Sequence, residues 1–215
     1  MIYKLDFVDI DTERDIPLFI DSNLIRKYDS EFNAKFVETM DSFFSYLINT
    51  LSNNLDEQAK YLCSHLSKIN ETHLGISKGK GVGQIGAEKI FNALKNSKAI
   101  EDGVLQDIED LRVLVNGFDK DMLSDMLTNI LKKHLLEYTI SQCNLLNIEL
   151  THNVPSGFFW NEKTLKWENE YMDRLIQKSC LLLKKDIIET EEEMNKDYLS
   201  NFTMNHPEIL EDFKK

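Results

Sequence analysis

The sequence predicts an α+β fold, a mixed central sheet of roughly five to seven strands covered by three or four long flanking helices. Three observations predict it. Apolar residues recur at helical spacing over long stretches, as at Phe36, Met40, Phe43, Leu47 and Leu51. Short aliphatic or aromatic runs lie between such stretches, among them Pro17 to Ile20, Leu111 to Val115 and Cys180 to Leu183. Turn chemistry, Asn116-Gly117 and Pro155-Ser156-Gly157 in particular, separates the two kinds of segment. At 215 residues and 42% hydrophobic content the chain can bury a substantial core. Residues 1–185 read as a single α+β domain and 186–215 as an acidic, helical C-terminal segment.

Taken in order, Tyr3 to Ile10 alternates as a strand, and the charged DTERD breaks it before the second run, Pro17 to Ile20. Asp21-Ser22-Asn23 supplies turn or N-cap chemistry. The Phe36 to Leu51 stripe is one face of a long helix, interrupted at Ser52-Asn53-Asn54. Leu55, Ala59, Leu62, Leu66 and Ile69 then mark a second helix, antiparallel to the first, on which His65 reads as structural. A helix is expected over 86–95. Leu111 to Val115 reads as an interior strand, and a helix beginning at Met122 runs toward Cys143, with Asn147 closing it before a strand from Ile148 to Thr151. The two aromatic runs around Asn161-Glu162-Lys163-Thr164 predict a hairpin with Trp160 and Trp167 at its strand ends, packed against a helix or, alternatively, stacked on bases. A helix over Asn169 to Lys178 and a last strand, Cys180 to Leu183, complete the domain.

The balance of 25 Lys and Arg against 37 Asp and Glu gives a formal net charge of −12. That argues against a chain coated for nonspecific binding to nucleic acid or membrane surfaces, although a local basic patch remains compatible with it. Cys63, Cys143 and Cys180 form no CxxC pair, so neither a disulfide framework nor a thiolate zinc site is indicated, and they read as buried thiols in a reducing cytoplasm. The N-terminus lacks the pattern of a signal peptide, and no stretch approaches the roughly 20 apolar residues that span a bilayer. The expected location is cytoplasmic, away from membranes.

Two stretches carry chemistry. In the first, Asp119, Asp121 and Asp125 follow Asn116-Gly117 at the start of the helix from Met122. Carboxylates gathered at a sheet edge suit a hard divalent cation, Mg²⁺ or Mn²⁺, and these three are the candidate metal ligands and catalytic residues. Lys184, ending the last strand, would neutralise charge developing on a phosphodiester. The alternative is that the aspartates serve as helix caps and complement the helix dipole. The second stretch, Gly75 to Gly86, holds five of the eight glycines and is locally basic. Lys78, Lys80, Gly81, Gly83 and Lys89 are its candidate phosphate or nucleic-acid contacts, through side chains and closely approachable backbone amides. His134 and Glu137, three apart on one helix, could also serve a metal.

GVGQIGAEKI resembles the second half of a helix-hairpin-helix motif, and the resemblance implies that Gly81, Gly83 and Lys89 contact a DNA backbone. The aspartates with a strand-end lysine are similar to the arrangement of PD-(D/E)xK nucleases, except that leucine stands two residues before each of Lys184 and Lys185. The order of PLFID, the Gly/Lys segment, NGFDKDMLSDMLTN and an aliphatic run ending in lysine resembles that of bacterial proteins from phage-defence gene neighbourhoods. That resemblance implies DNA-related defence and assigns no catalytic residue; together with the two stretches above, the leading reading is a metal-dependent nuclease or nucleic-acid-processing subunit of a bacterial defence system. A non-enzymatic adaptor subunit and a binder of a nucleotide or other phosphorylated ligand are the alternatives. Expected partners are DNA or RNA at the 75–90 segment, and a protein partner or second copy; a basic partner would cover the glutamates at 189–193.

Overall fold

The computed structural model describes residues 5–9, 15–66, 71–75, 84–105, 107–175, 180–190, 192–194 and 204. Within them the chain is an α+β fold whose helices outweigh its strands. A strand β1 (Leu18–Ile20) leads into a short helix α1 (Ser22–Lys27) and then the longest element, α2 (Glu31–Ser52). Ser30 caps α2, its hydroxyl oxygen accepting from Asn33 N at 3.0 Å. The predicted stripe is its buried face: Phe36, Met40, Phe43 and Leu47 are all essentially inaccessible. Asn54, in the left-handed region at φ 55°, turns the chain into α3 (Asp56–Cys63), which folds back on α2 as a helical hairpin.

Helix α4 (Gln84–Lys95) packs against α3, burying Ile90 and Leu94. The two run antiparallel: Lys95 at the end of α4 pairs with Asp56 at the start of α3 at 2.8 Å. After a short helix α5 (Lys98–Glu101) the predicted strand Leu111 to Val115 is instead a turn of helix, α6 (Leu111–Leu114). The cause is local, because the Asp110 carboxylate accepts from Asp107 N at 3.1 Å and closes a 3₁₀ turn, Ile108–Asp110, that runs straight into α6. The long helix expected from Met122 is two, α7 (Lys120–Ile130) and α8 (Lys132–Leu146), broken at Leu131. Asn147 closes α8 in the left-handed conformation, as its sequence position predicts.

Strand β2 (Thr151–Pro155) starts where the predicted strand ends, and it pairs antiparallel with β5 (Tyr171–Arg174), which replaces part of the helix expected over 169–178. Between them lies the expected tryptophan hairpin, β3 (Phe159–Asn161) and β4 (Lys166–Glu168), with Trp160 opposite Trp167. The tryptophans pack inward as expected. Trp160 Nε1 donates to Ser42 Oγ at 2.7 Å and Trp167 Nε1 to the Leu62 carbonyl at 3.0 Å, which fixes the hairpin across α2 and α3. Residues 180–183 form no ladder, yet all four are buried, and Leu181 N and Leu182 N donate to Glu71 O and Thr139 Oγ1. Of the expected strand Tyr3 to Ile10, residues 3, 4 and 10 lie outside the described residues; in the rest Phe7 bridges Lys184 and Val8 N donates to Leu183 O at 2.8 Å.

The acidic segment does not begin as a helix. After a 3₁₀ turn, Lys185–Ile187, it enters β6 (Ile188–Thr190), paired antiparallel with β1, and Ile187, Ile188 and Met194 are buried. The strands therefore form three separate two-stranded antiparallel ladders among the described residues, in place of one mixed sheet. Each is too small to stand alone, so helices carry the core.

At the β1–β6 ladder Asp21 is fully buried. Its Oδ1 accepts from Asn23 N at 2.8 Å, capping α1, while its carboxyl meets that of Glu189, with the Glu109 charge nearby. Burial pushes the Asp21 pKa up, with Glu109 adding to the shift. A raised folded-state pKa means that the stabilising contribution is complete below the ordinary carboxylate value and is lost as pH rises through the folded value. Asp21→Asn keeps the capping oxygen and removes the charge, so it should raise Tm at pH 7 by roughly 2–4 °C for each kcal/mol gained and leave it unmoved near pH 4. Thermal melts of both proteins across that range check the sign; a variant less stable at pH 7 than the parent would contradict it.

Candidate nucleic-acid interface

Asp119 is the N-cap of α7: its Oδ1 accepts from Met122 N at 2.8 Å. Asp121 lies in the first turn, packed against Gly75, whose φ of 112° and lack of a Cβ allow the carboxylate to sit there. The Asp125 carbonyl accepts from Asn129 Nδ2 at 2.8 Å. These aspartates do not follow the C-terminal end of a strand, since the strand expected before them is α6. Among the described residues no three His, Cys, Asp or Glu side chains gather as a metal ion would require. Lys184 is held by the Asp186 carboxylate and lies over the Phe32 ring at 5.1 Å. Lys78, Lys80, Gly81 and Gly83 fall outside the described residues, and Lys89 is exposed on α4.

His134 and Glu137 line a cleft of about 420 Å³ between α2 and α8. His134 Nε2 is 2.9 Å from Thr39 Oγ1 and Nδ1 is 3.6 Å from Glu137 Oε2, an order of carboxylate, imidazole and hydroxyl that invites comparison with a nucleophilic triad. The hydroxyl decides against that reading. Thr39 is 1% exposed, does not line the cleft, and lies 3.4 Å from Glu162 Oε2 besides. The chain of contacts ties α2, α8 and the hairpin together, and the hydrogen bond from His134 holds the Glu137 carboxyl below its usual range.

A different face presents aromatic side chains half open to solvent. Tyr61 and Phe158 are 49% and 47% exposed, and the half-buried His65 ring joins them. His65 meets Phe158 at 4.2 Å between ring centroids and Tyr61 edge-on at 5.6 Å, with the buried Trp167 behind it at 5.3 Å. The local causes are plain. Tyr61 lies on the side of α3 away from the buried Ala59, Leu62 and Cys63, and His65 sits in the turn just past the end of that helix. Phe158 follows Gly157, which takes φ 75° and lies so close to Lys132 that a Cβ there would come within 2.7 Å of Nζ. Burial keeps the His65 pKa low. Beside the rings a cleft of about 370 Å³ is walled by Lys60 and Tyr61 of α3, by Ser64 at its C-cap, and by Ala87, Glu88 and Phe91 of α4. Its α4 wall runs from Ala87 to Phe91, in the N-terminal half of the helix that begins at Gln84.

Neither Tyr61 nor Phe158 stands out in the sequence, and His65 reads there as structural. The one signal is the Tyr61/His65 spacing, which marks a shared face without marking it as exposed.

Removing the cap by Asp119→Ala should cost about 0.5–2 kcal/mol. Millimolar Mn²⁺ should leave the melting temperature of the parent unchanged. A Mn²⁺-dependent rise that disappears in Asp121→Asn or Asp125→Asn would instead establish a metal site there.

No curated protein and no solved structure matches the chain. The model of a family described as a domain of unknown function (DUF8370) matches residues 2–205, and the chain belongs to that family.

Proposed function

We propose that this protein is a nucleic-acid-binding subunit that works by holding its ligand rather than by cutting it. The observation that carries the reading is the shared cleft: the N-terminal half of α4, which follows the Gly/Lys segment in sequence, faces Tyr61 of the exposed aromatic group. A nucleic acid needs both halves of such an arrangement, apolar rings for base faces and cations with backbone amides for phosphates. Lys78, Lys80 and Lys89 supply the cations in this reading, and the resemblance of GVGQIGAEKI to a helix-hairpin-helix assigns the same stretch to the backbone.

Cleavage has weaker support, because Asp119 is occupied as a helix cap and Lys184 is neutralised by Asp186. The surrounding charge sets the terms of binding. With a net charge of −12 the protein repels phosphate at long range, so contact rests on the local lysines and on a basic partner subunit covering the acidic C-terminal segment. The proposed setting is a cytoplasmic assembly of bacterial phage defence, the context the sequence resembles. Among the described residues no helix is long and apolar enough to cross a membrane.

The experiment is a titration of labelled oligonucleotide against the full chain at several salt concentrations. Lys78→Ala with Lys80→Ala should weaken binding and flatten the slope of log K against log salt by roughly 0.7–0.9 for each phosphate contact removed. No binding at 50 mM salt, or an unchanged slope in the double variant, would reject the reading.

A further inference from the structure

We infer that the Tyr61–His65–Phe158 face binds unpaired bases, so that the ligand of this protein is single-stranded nucleic acid rather than duplex. The inference rests on the nucleic-acid reading above and specifies its ligand class. A duplex turns its base faces inward and offers a protein only groove edges and phosphates. Flat, half-exposed rings find nothing to stack on there. In a single strand each base has a free π-face, and stacking on an aromatic side chain is sequence-tolerant.

The geometry suits that use in three ways. First, the outer rings are offered as separate stations: Phe158 lies against His65 with its ring tilted by 39°, while Tyr61 stands edge-on to it at an interplanar angle of 87°. Phe158 and Tyr61 thus expose faces of different orientation, as successive splayed bases would require. Second, no hydrogen bond engages the His65 imidazole among the described residues, and burial favours its neutral form. It therefore brings one donor and one acceptor to the middle of an otherwise apolar platform, where the edge of an unpaired base can meet them. Third, the adjoining cleft of about 370 Å³ is of ligand size and carries Ser64 and Lys60 on its wall. Lys60 is paired to Glu57 at 2.8 Å and opposed by Glu88, so the described part of this face has no surplus of positive charge. Stacking, not phosphate attraction, is what it offers, and stacking is the term a duplex cannot use.

The test uses full-length protein and fluorescein-labelled 12-nucleotide DNA, as a single strand and as its duplex, read by anisotropy at low salt. The quenching of tryptophan emission provides a second readout, because Trp167 lies 5.3 Å from His65. The single strand is expected to bind at least tenfold more tightly than the duplex and to quench the emission. Phe158→Ala and Tyr61→Ala should each weaken it by about 5- to 150-fold, the equivalent of one stacked base. Phe158→Leu keeps apolar bulk without the π-face and should lose the same affinity at an unchanged melting temperature, which separates stacking from folding. Equal affinity for the two forms, or full affinity in Phe158→Leu, overturns this inference and leaves the broader reading standing. Failure of both DNA forms to bind, and of the same RNA sequence, overturns both.

Discussion

The burial of one face of α2 is the constraint on which the remaining architecture depends. Phe36, Met40, Phe43, Phe44, Leu47 and Leu51 run along it and are all withdrawn from solvent. At roughly 1.5–3 kcal/mol for each large side chain fully buried, that face alone outweighs any plausible sum of surface ion pairs. The exposed pairs here, such as Lys35 with Glu31 at 3.3 Å and Lys60 with Glu57 at 2.8 Å, fall in the class worth about 0–1 kcal/mol each. Three ladders of three to five residues per strand have no comparable interior of their own. They are positioned by what they lay on the helices, and the tryptophan hairpin is the clearest case: Trp160 meets Phe43 edge-on at 5.1 Å, and Trp167 meets it at 5.3 Å.

This dependence explains which parts of the fold were legible from residues alone. Long periodic stretches encode their own burial, so α2 and the first turns of α3 follow from spacing, although α3 ends at Cys63, short of the predicted stripe, and the hairpin follows from two aromatic runs around a turn. Leu111 to Val115 has the composition of a strand, but composition is a weak determinant beside the 3₁₀ turn that Asp107 and Asp110 close immediately upstream. Tyr171 to Arg174 fails in the opposite direction. Met, Asp and Arg favour no strand, and the segment is extended because β2 supplies a partner across Val154–Met172 and Pro155–Tyr171. β1 is legible as the aliphatic run Pro17 to Ile20, whereas its partner Ile188–Thr190, drawn into the ladder from the other end of the chain, is not.

The candidate site was less legible than the fold, for a related reason. Asp119 could be read as a cap or as a ligand, and only the position of its oxygen relative to Met122 N separates the two. For Tyr61 and Phe158 the relevant property is exposure, which depends on everything packed around them. An aromatic residue in a sequence is expected inside; Tyr28, Tyr61, Phe158 and Tyr171 are exposed instead, and of these Tyr61 and Phe158 are the two brought to one face through His65.

Their exposure is also fixed in place. Trp167 is tied to the Leu62 carbonyl, directly after Tyr61 on α3, so the hairpin cannot slide along that helix without breaking a buried hydrogen bond. On the other side the turn that presents Phe158 is pinned at Gly157 by Lys132. That lysine is buried and bound to Glu71 at 3.0 Å, and Glu71 also holds Arg174 of β5 at 3.1 Å. A buried ion-pair network of this kind adds little net stability, because desolvation offsets most of the attraction. What it does provide is a single geometry, since breaking one contact leaves the others uncompensated. Rings held outward by such a network lose little freedom when a ligand stacks on them, so more of the stacking energy remains as affinity. The same aromatic group on a loose loop would spend that energy on its own ordering.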